Sequence, residues 1–154
     1  MSSQPRSACG CYRLPRPCYA FGLSNCPFCF LPRERLWIET EHALAVRDAY
    51  PISEGHTLVL PRKHVSTIYE LSVTEQNVIW DLVSEVRRHL LADLTPDGFN
   101  IGLNEGLVAG QTVMHAHIHV IPRWRGDVPD PRGGIRWVIA DKAAYWEKDD
   151  ASDL

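Results

Sequence analysis

Residues 110–123 read GQTVMHAHIHVIPR, with His115, His117 and His119 at alternate positions. Side chains on a β-strand alternate between faces, so Val113, His115, His117, His119 and Ile121 are expected to share one side. The other side carries Met114, Ala116, Ile118 and Val120, all apolar. Such a strand fastens to a core through one face and presents a histidine row on the other, with successive imidazoles about 6–7 Å apart. A lone histidine on such a face is ordinarily structural. A row of them is harder to explain that way, because each buried imidazole needs hydrogen-bond partners that Val or Leu would not.

Two chemistries suit the row. Histidines at i and i+2 can share a metal such as zinc. Alternatively, a central histidine is a nucleophile whose neighbours orient it and handle protons. The preceding stretch NEGLVAGQTV, residues 104–113, holds two glycines and small or polar side chains. A loop of that kind can turn backbone N–H groups and the Asn104 and Gln111 amides toward an anion. Glu105 is the only carboxylate nearby, whereas a plain metal hydrolase would more typically supply several. Phosphate chemistry is the better fit.

Elsewhere the pattern is that of an α+β domain with a largely antiparallel sheet and one long helix packed on it. LWIET, ALAVRD, HTLVLP and FNIGLN read as strands, separated by polar or Pro/Gly-containing breaks. LSVTEQNVIWDLVSEVRRHLLADL reads as a helix: Ser72 and Glu75 have capping-box spacing, and Val73, Ile79, Leu82, Val83, Val86, Leu90 and Leu91 mostly follow the helical period. It should end near Thr95-Pro96. RWRGDVPDPRGG reads as a loop, IRWVIA as a further strand and KAAYW as a short helix. The division expected is an irregular arm over residues 1–25, a single domain over 26–146 and an acidic tail over 147–154.

The whole chain sets wider limits. Its 154 residues suit one domain with a real core, and 45% hydrophobic with 23% charged residues is ordinary for a globular protein. A formal net charge of −3 offers no general attraction to nucleic acid or to a membrane surface, so any phosphate recognition must be local. No run approaches the roughly 20 apolar residues of a membrane helix, and the N-terminus lacks the apolar core of a secretory signal. A cytoplasmic location is expected, where five cysteines need not pair. Cys9, Cys11 and Cys18 fall in the arm and read as unused thiols more readily than as ligands. CPFC, Cys26 to Cys29, can supply half of a tetrahedral metal site, although redox pairs share the pattern. No βαβ unit of thioredoxin type surrounds it, which argues against redox.

HAHIHVI, residues 115–121, resembles the His-φ-His-φ-His-φ-φ signature of the histidine triad family of nucleotide hydrolases and transferases. The GQTV lead-in, EGHTLVLPRKH at residues 54–64 and the Pro122-Arg123 that follows are similar to that family as well. The resemblance covers about Cys26 to Arg123. It implies that His117 attacks the α-phosphorus of a nucleotide and forms a covalent nucleotidyl-histidine, while His119 contacts the phosphate or leaving group. By the same resemblance Gln111 and Asn104 contact phosphate, backbone groups around Gly110 and Thr112 hold non-bridging oxygens, and Asp48 binds ribose hydroxyls. Members with a similar CxxC complete a structural zinc site with positions that match His64 and His115 here. His119 stands where transferase-like members carry Gln, which favours the hydrolase branches.

The expected function is therefore hydrolysis at the α-phosphate of a nucleotide, with dinucleoside polyphosphates such as diadenosine tetraphosphate as first substrates and nucleoside phosphoramidates as the near alternative. A non-catalytic nucleotide-binding or zinc-stabilised module, and a metallohydrolase using the row directly, are the competing readings. A homodimer is implied by the family alone. His56 receives no catalytic role at this level, and His42 and His89 read as surface residues.

Overall fold

The computed structural model describes residues 26–147. The arm with Cys9, Cys11 and Cys18, and the acidic tail beyond Glu147, lie outside them. Five strands form one antiparallel sheet: β1 (Leu36–Glu39), β2 (Ala43–Arg47), β3 (Thr57–Pro61), β4 (Gly98–Gly102) and β5 (Ile118–Arg123), in the order β1-β2-β3-β5-β4. One helix, α1 (Val73–Leu94), packs across β2, β3 and β5. This is the expected α+β arrangement. No helix among the described residues is long and apolar enough to cross a membrane.

The ends of α1 follow from local chemistry. Ser72 caps the first turn by accepting from the Glu75 N–H, and the Glu75 carboxylate accepts from the Ser72 N–H in return. At the far end Thr95 takes a left-handed conformation (φ 48°), and Pro96 follows. Ile79, Leu82, Val83, Val86 and Leu90 face the sheet and meet Ala43, Ala45, Val59, Ala116, Ile118 and Val120. Val73 and Leu91, which the helical spacing placed with them, are exposed at the rim of the stripe.

The opposite face of the sheet is covered from both ends of the described chain. Phe28, Leu31 and Leu36 lie on a second apolar cluster of Leu44, Val46, Leu58 and Leu60. Near β4, Ile135 stands 3.5 Å from where a side chain on Gly102 would begin, and Gly134 has a similar relation to Asn100. The histidines lie on this face, between the two coverings.

Three elements differ from expectation. The strand starts only at Ile118 and runs on to Arg123, so His115 and His117 precede it. Backbone pairing explains this: the His115 N–H turns back to the Val113 carbonyl and the Ala116 N–H donates to Val65. Met114, expected in the core, is exposed. IRWVIA is no strand but part of an irregular 3-10 stretch, Gly134–Lys142. Gly133 and Gly134 turn the chain with positive φ, and the Trp137 indole donates to the Arg132 carbonyl, which curls the segment onto itself. KAAYW is divided between the end of that stretch and a short turn, Tyr145–Glu147.

Gly55 is a position where any side chain is strained. Its φ is +78°, and a Cβ there would lie 2.6 Å from Leu94 and 2.9 Å from Leu90. Gly55→Ala should lower unfolding stability by about 1–3 kcal/mol in urea titrations. Gly98→Ala, where no atom lies within 4 Å of the new methyl, should change it much less.

Candidate functional site

The three histidines of the row have three different sets of partners. His115 is buried, and its Nε2–H donates to the Pro61 carbonyl at 2.8 Å. A carbonyl can only accept, so this bond assigns the proton to Nε2 and leaves Nδ1 bare. That nitrogen points at the cysteines, 3.5 Å from Cys26 Sγ and 3.6 Å from Cys29 Sγ. His64 Nδ1 approaches Cys29 Sγ at 3.2 Å. The donor atoms of Cys26, Cys29, His64 and His115 all lie within 4.8 Å of one another. Sulfur and nitrogen bound to one tetrahedral zinc stand about 3.6 Å apart, given the usual bond lengths. The geometry and the Cys2His2 donor set fit that ion, and the Pro61 carbonyl is the outer partner a ligating histidine ordinarily has. Burial, chiefly, depresses the His115 pKa to about 4, which keeps the ring neutral as a ligand must be.

His117 turns away from that cluster. Its Nδ1–H donates to the His115 carbonyl at 2.8 Å, so its Nε2 carries the lone pair. The side chain is buried, between the edge of Phe28 (centroids 5.1 Å apart) and the ring of His119 (5.1 Å). An imidazole with Nδ1 tied to backbone has only Nε2 left to attack, which is the arrangement a nucleophile needs.

His119 belongs to a third group that residue spacing did not disclose. Its Nδ1 lies 3.0 Å from Nε2 of His56, and Nδ1 of His56 lies 3.5 Å from the Asp48 carboxylate. The Ile52 N–H also reaches His56 Nδ1, at 3.4 Å. The two contacts favour opposite tautomers. A carboxylate is the stronger partner for an imidazole, so His56 Nδ1 holds the proton and His119 Nδ1 donates to His56 Nε2. The Nε2 of His119 is then open to a ligand. Burial, helped by the nearby His117 and His56, lowers the His119 pKa to about 4. Burial also lowers that of His56, against the pull of Asp48. His56 was invisible as a functional residue because its partner lies 63 positions away. The only local hint was its place at the mouth of β3. His42 and His89 are exposed, as expected, the latter beside Trp37.

The glycine loop is shaped by Gln111. This buried side chain accepts from the Gly106 N–H at 2.8 Å and donates to the Ser66 carbonyl at 2.8 Å. Both ends of its amide thus hold the loop closed, and a phosphate contact would have to use what remains. Gly106 and Gly110 have φ of +82° and +88°, and Asn104 Nδ2 lies 3.9 Å from the position of a Cβ on Gly110. Asn104 and Gly110 therefore adjoin, with Thr112 exposed on the run into His115. Asp48 is tied down on its other oxygen by the Tyr50 N–H at 2.8 Å.

Comparison with known proteins finds relatives of this fold. Residues 33–126 match the HIT domain family. Protein hit of Bacillus subtilis is 36% identical over 109 residues, covering 67% of this chain and 74% of that protein. AP-4-A phosphorylase of Mycobacterium tuberculosis is 38% identical over 84 residues, 54% of this chain but 43% of that longer protein. A crystal structure of a HIT family protein from Bacillus anthracis superposes with a TM-score of 0.63 at 36% identity, over 68% of this chain and 77% of that one. With the matched segment spanning the sheet, the helix and the histidine row, this chain belongs to the HIT domain family.

Proposed function

We propose that this protein is a nucleotide hydrolase that cleaves at the α-phosphate through a covalent intermediate on His117. The observation that carries the reading is the His117 Nδ1–H bond to the His115 carbonyl, which leaves a bare Nε2 beside His119. The similarity to a protein named AP-4-A phosphorylase makes dinucleoside polyphosphates the first substrates to test. In the first step the Nε2 lone pair forms a bond to the α-phosphorus. The bond from phosphorus to the leaving oxygen breaks, its electron pair stays on that oxygen, and a proton from His119 neutralises it. In the second step water attacks phosphorus, the P–N bond breaks, and the electron pair returns to Nε2. The water proton passes to His119 and a nucleoside monophosphate leaves.

His119 is neutral before substrate arrives, and an anionic phosphate beside its open nitrogen favours the protonated form. The positive charge then has a compensating chain, through His56 to the Asp48 carboxylate. In this reading Asp48 serves that chain as well as the ribose. Asn104, Gly110 and Thr112 line the phosphate side, and Gln111 keeps their loop in shape. Cys26, Cys29, His64 and His115 hold a structural zinc, which when bound supplies a rigid cross-link between the N-terminal segment and the nucleophile's backbone.

Four outcomes test this. With diadenosine polyphosphates and adenosine phosphoramidate as a panel, the wild type should release AMP and His117→Ala should lose at least about a thousandfold in kcat. Intact-protein mass spectrometry of quenched wild type should find a nucleotidyl adduct, and a turnover that never shows one would sink the covalent route. Cys29→Ser should reduce zinc from near one per chain to near zero by elemental analysis, with a lower melting temperature. Finally, the unfolded His119 binds its proton near pH 6.5 and the folded one only near 4, so stability should fall as pH drops through that window. His119→Gln should flatten that part of the urea-stability profile.

A further inference from the structure

The loop that carries two of the four clustered donors also carries a ring that reaches past them. Phe28 stands between Cys26 and Cys29 and packs on the apolar cluster of Leu44, Val46, Leu58 and Leu60. From that anchorage it meets two imidazoles edge to face: His115 at 5.9 Å and 77°, and His117 at 5.1 Å and 74°. One ring thus bridges the Cys/His cluster and the candidate nucleophile. The separation and tilt fall in the range that aromatic pairs prefer.

The hydrogen bond at His117 Nδ1 decides which nitrogen is bare, but it leaves the ring able to rock about that bond. The direction of Nε2 is then set by what touches the ring, and the rings that touch it among the described residues are Phe28 and His119. His119 must itself stay responsive to substrate. Phe28 has no polar group and no chemistry of its own, so its contribution is a fixed wall.

We propose that Phe28 is a positioning residue for His117, and that through it the Cys26–Cys29 loop governs how well Nε2 is aimed. The proposal rests on His117 being the nucleophile. When both thiols bind one ion the three-bond span from Cys26 to Cys29 is held at each end, and the ring between them is held with it. When the thiols are released, only the apolar cluster restrains Phe28. Misplacing a reacting atom by about 1 Å can cost on the order of a hundredfold in rate, so a modest loosening is measurable.

The test uses the full chain with Phe28→Ala, Phe28→Leu and Phe28→Tyr, read by zinc content, by NMR of isotope-labelled histidine, and by kcat and KM for AMP release. The expected result is full zinc in every variant. The His117 ring signals should shift and broaden in Phe28→Ala and Phe28→Leu but be restored in Phe28→Tyr. In step with them, kcat should fall about ten- to a hundredfold with KM little changed. Chelation of the wild type should move the same signals in the same direction, and should move them little further in Phe28→Ala. Unmoved His117 signals in Phe28→Ala would overturn the proposal, as would zinc lost together with the ring. A change confined to KM would also overturn it, making Phe28 a substrate contact. If the wild type releases no nucleotide, the NMR comparison still decides the role of Phe28, and the failure belongs to the proposed reaction.

Discussion

The bond from His115 Nε2–H to the Pro61 carbonyl organises much of what surrounds it. Pro61 ends β3, so the bond ties the start of the histidine segment to a strand already fixed in the core. It also assigns the tautomer, which turns a bare nitrogen toward Cys26 and Cys29. The backbone of the same residue holds the next histidine, since its carbonyl accepts the His117 Nδ1–H. A single buried residue therefore sets the direction of one imidazole and the proton position of another. Burial makes these bonds obligatory, because an unpaired imidazole nitrogen or carbonyl in that position would bear the full cost of desolvation.

The sheet uses its two faces differently. One is filled by α1 and is uniformly apolar. The other is filled only at its margins, by the Phe28–Leu36 segment over β2 and β3 and by the Gly134–Ile135 turn over β4. The histidines occupy the strip between, where side chains are buried enough to be desolvated and still reachable by a ligand. The resulting electrostatics follow: two of these imidazoles are held neutral to about pH 4, with burial the leading cause in both. One faces the Cys26–Cys29 pair and the other faces His56.

Gln111 shows how a buried polar side chain can shape a loop. Its amide closes the Gly106–Gln111 loop and fastens it to Ser66, while Glu105 takes a bond from Thr67. The loop's two positive-φ glycines are thereby held in one conformation, and both glycine N–H groups are spent inside the loop, on the Gln111 side chain and the Leu107 carbonyl.

Local rules fix what lies close in sequence. The Ser72–Glu75 box, the Thr95-Pro96 stop and the apolar stripe between them place α1 to within a residue, because capping and helical period act over one or two turns. Apolar runs between polar or Pro/Gly-containing breaks disclosed β1 to β4, and the unusual density of histidine marked the site at once. The four Cys/His positions came from resemblance, and their convergence within 4.8 Å is a property of the folded chain. Other features had no local signature. IRWVIA has strand-like composition but is turned away by two glycines and by Trp137 bonding back to Arg132, a tertiary choice between partners. His115 and His117 look like strand residues, yet the His115 N–H turns back to Val113 and the Ala116 between them donates to Val65. The chain from His119 through His56 to Asp48 exists only because β3 and β5 are neighbours, with Leu58 opposite His119. Composition and period decide which elements form and which residues are chemically capable. Which imidazole faces a thiol, another imidazole or a carboxylate is decided by strand order and backbone pairing, since those alone bring distant residues within hydrogen-bond reach.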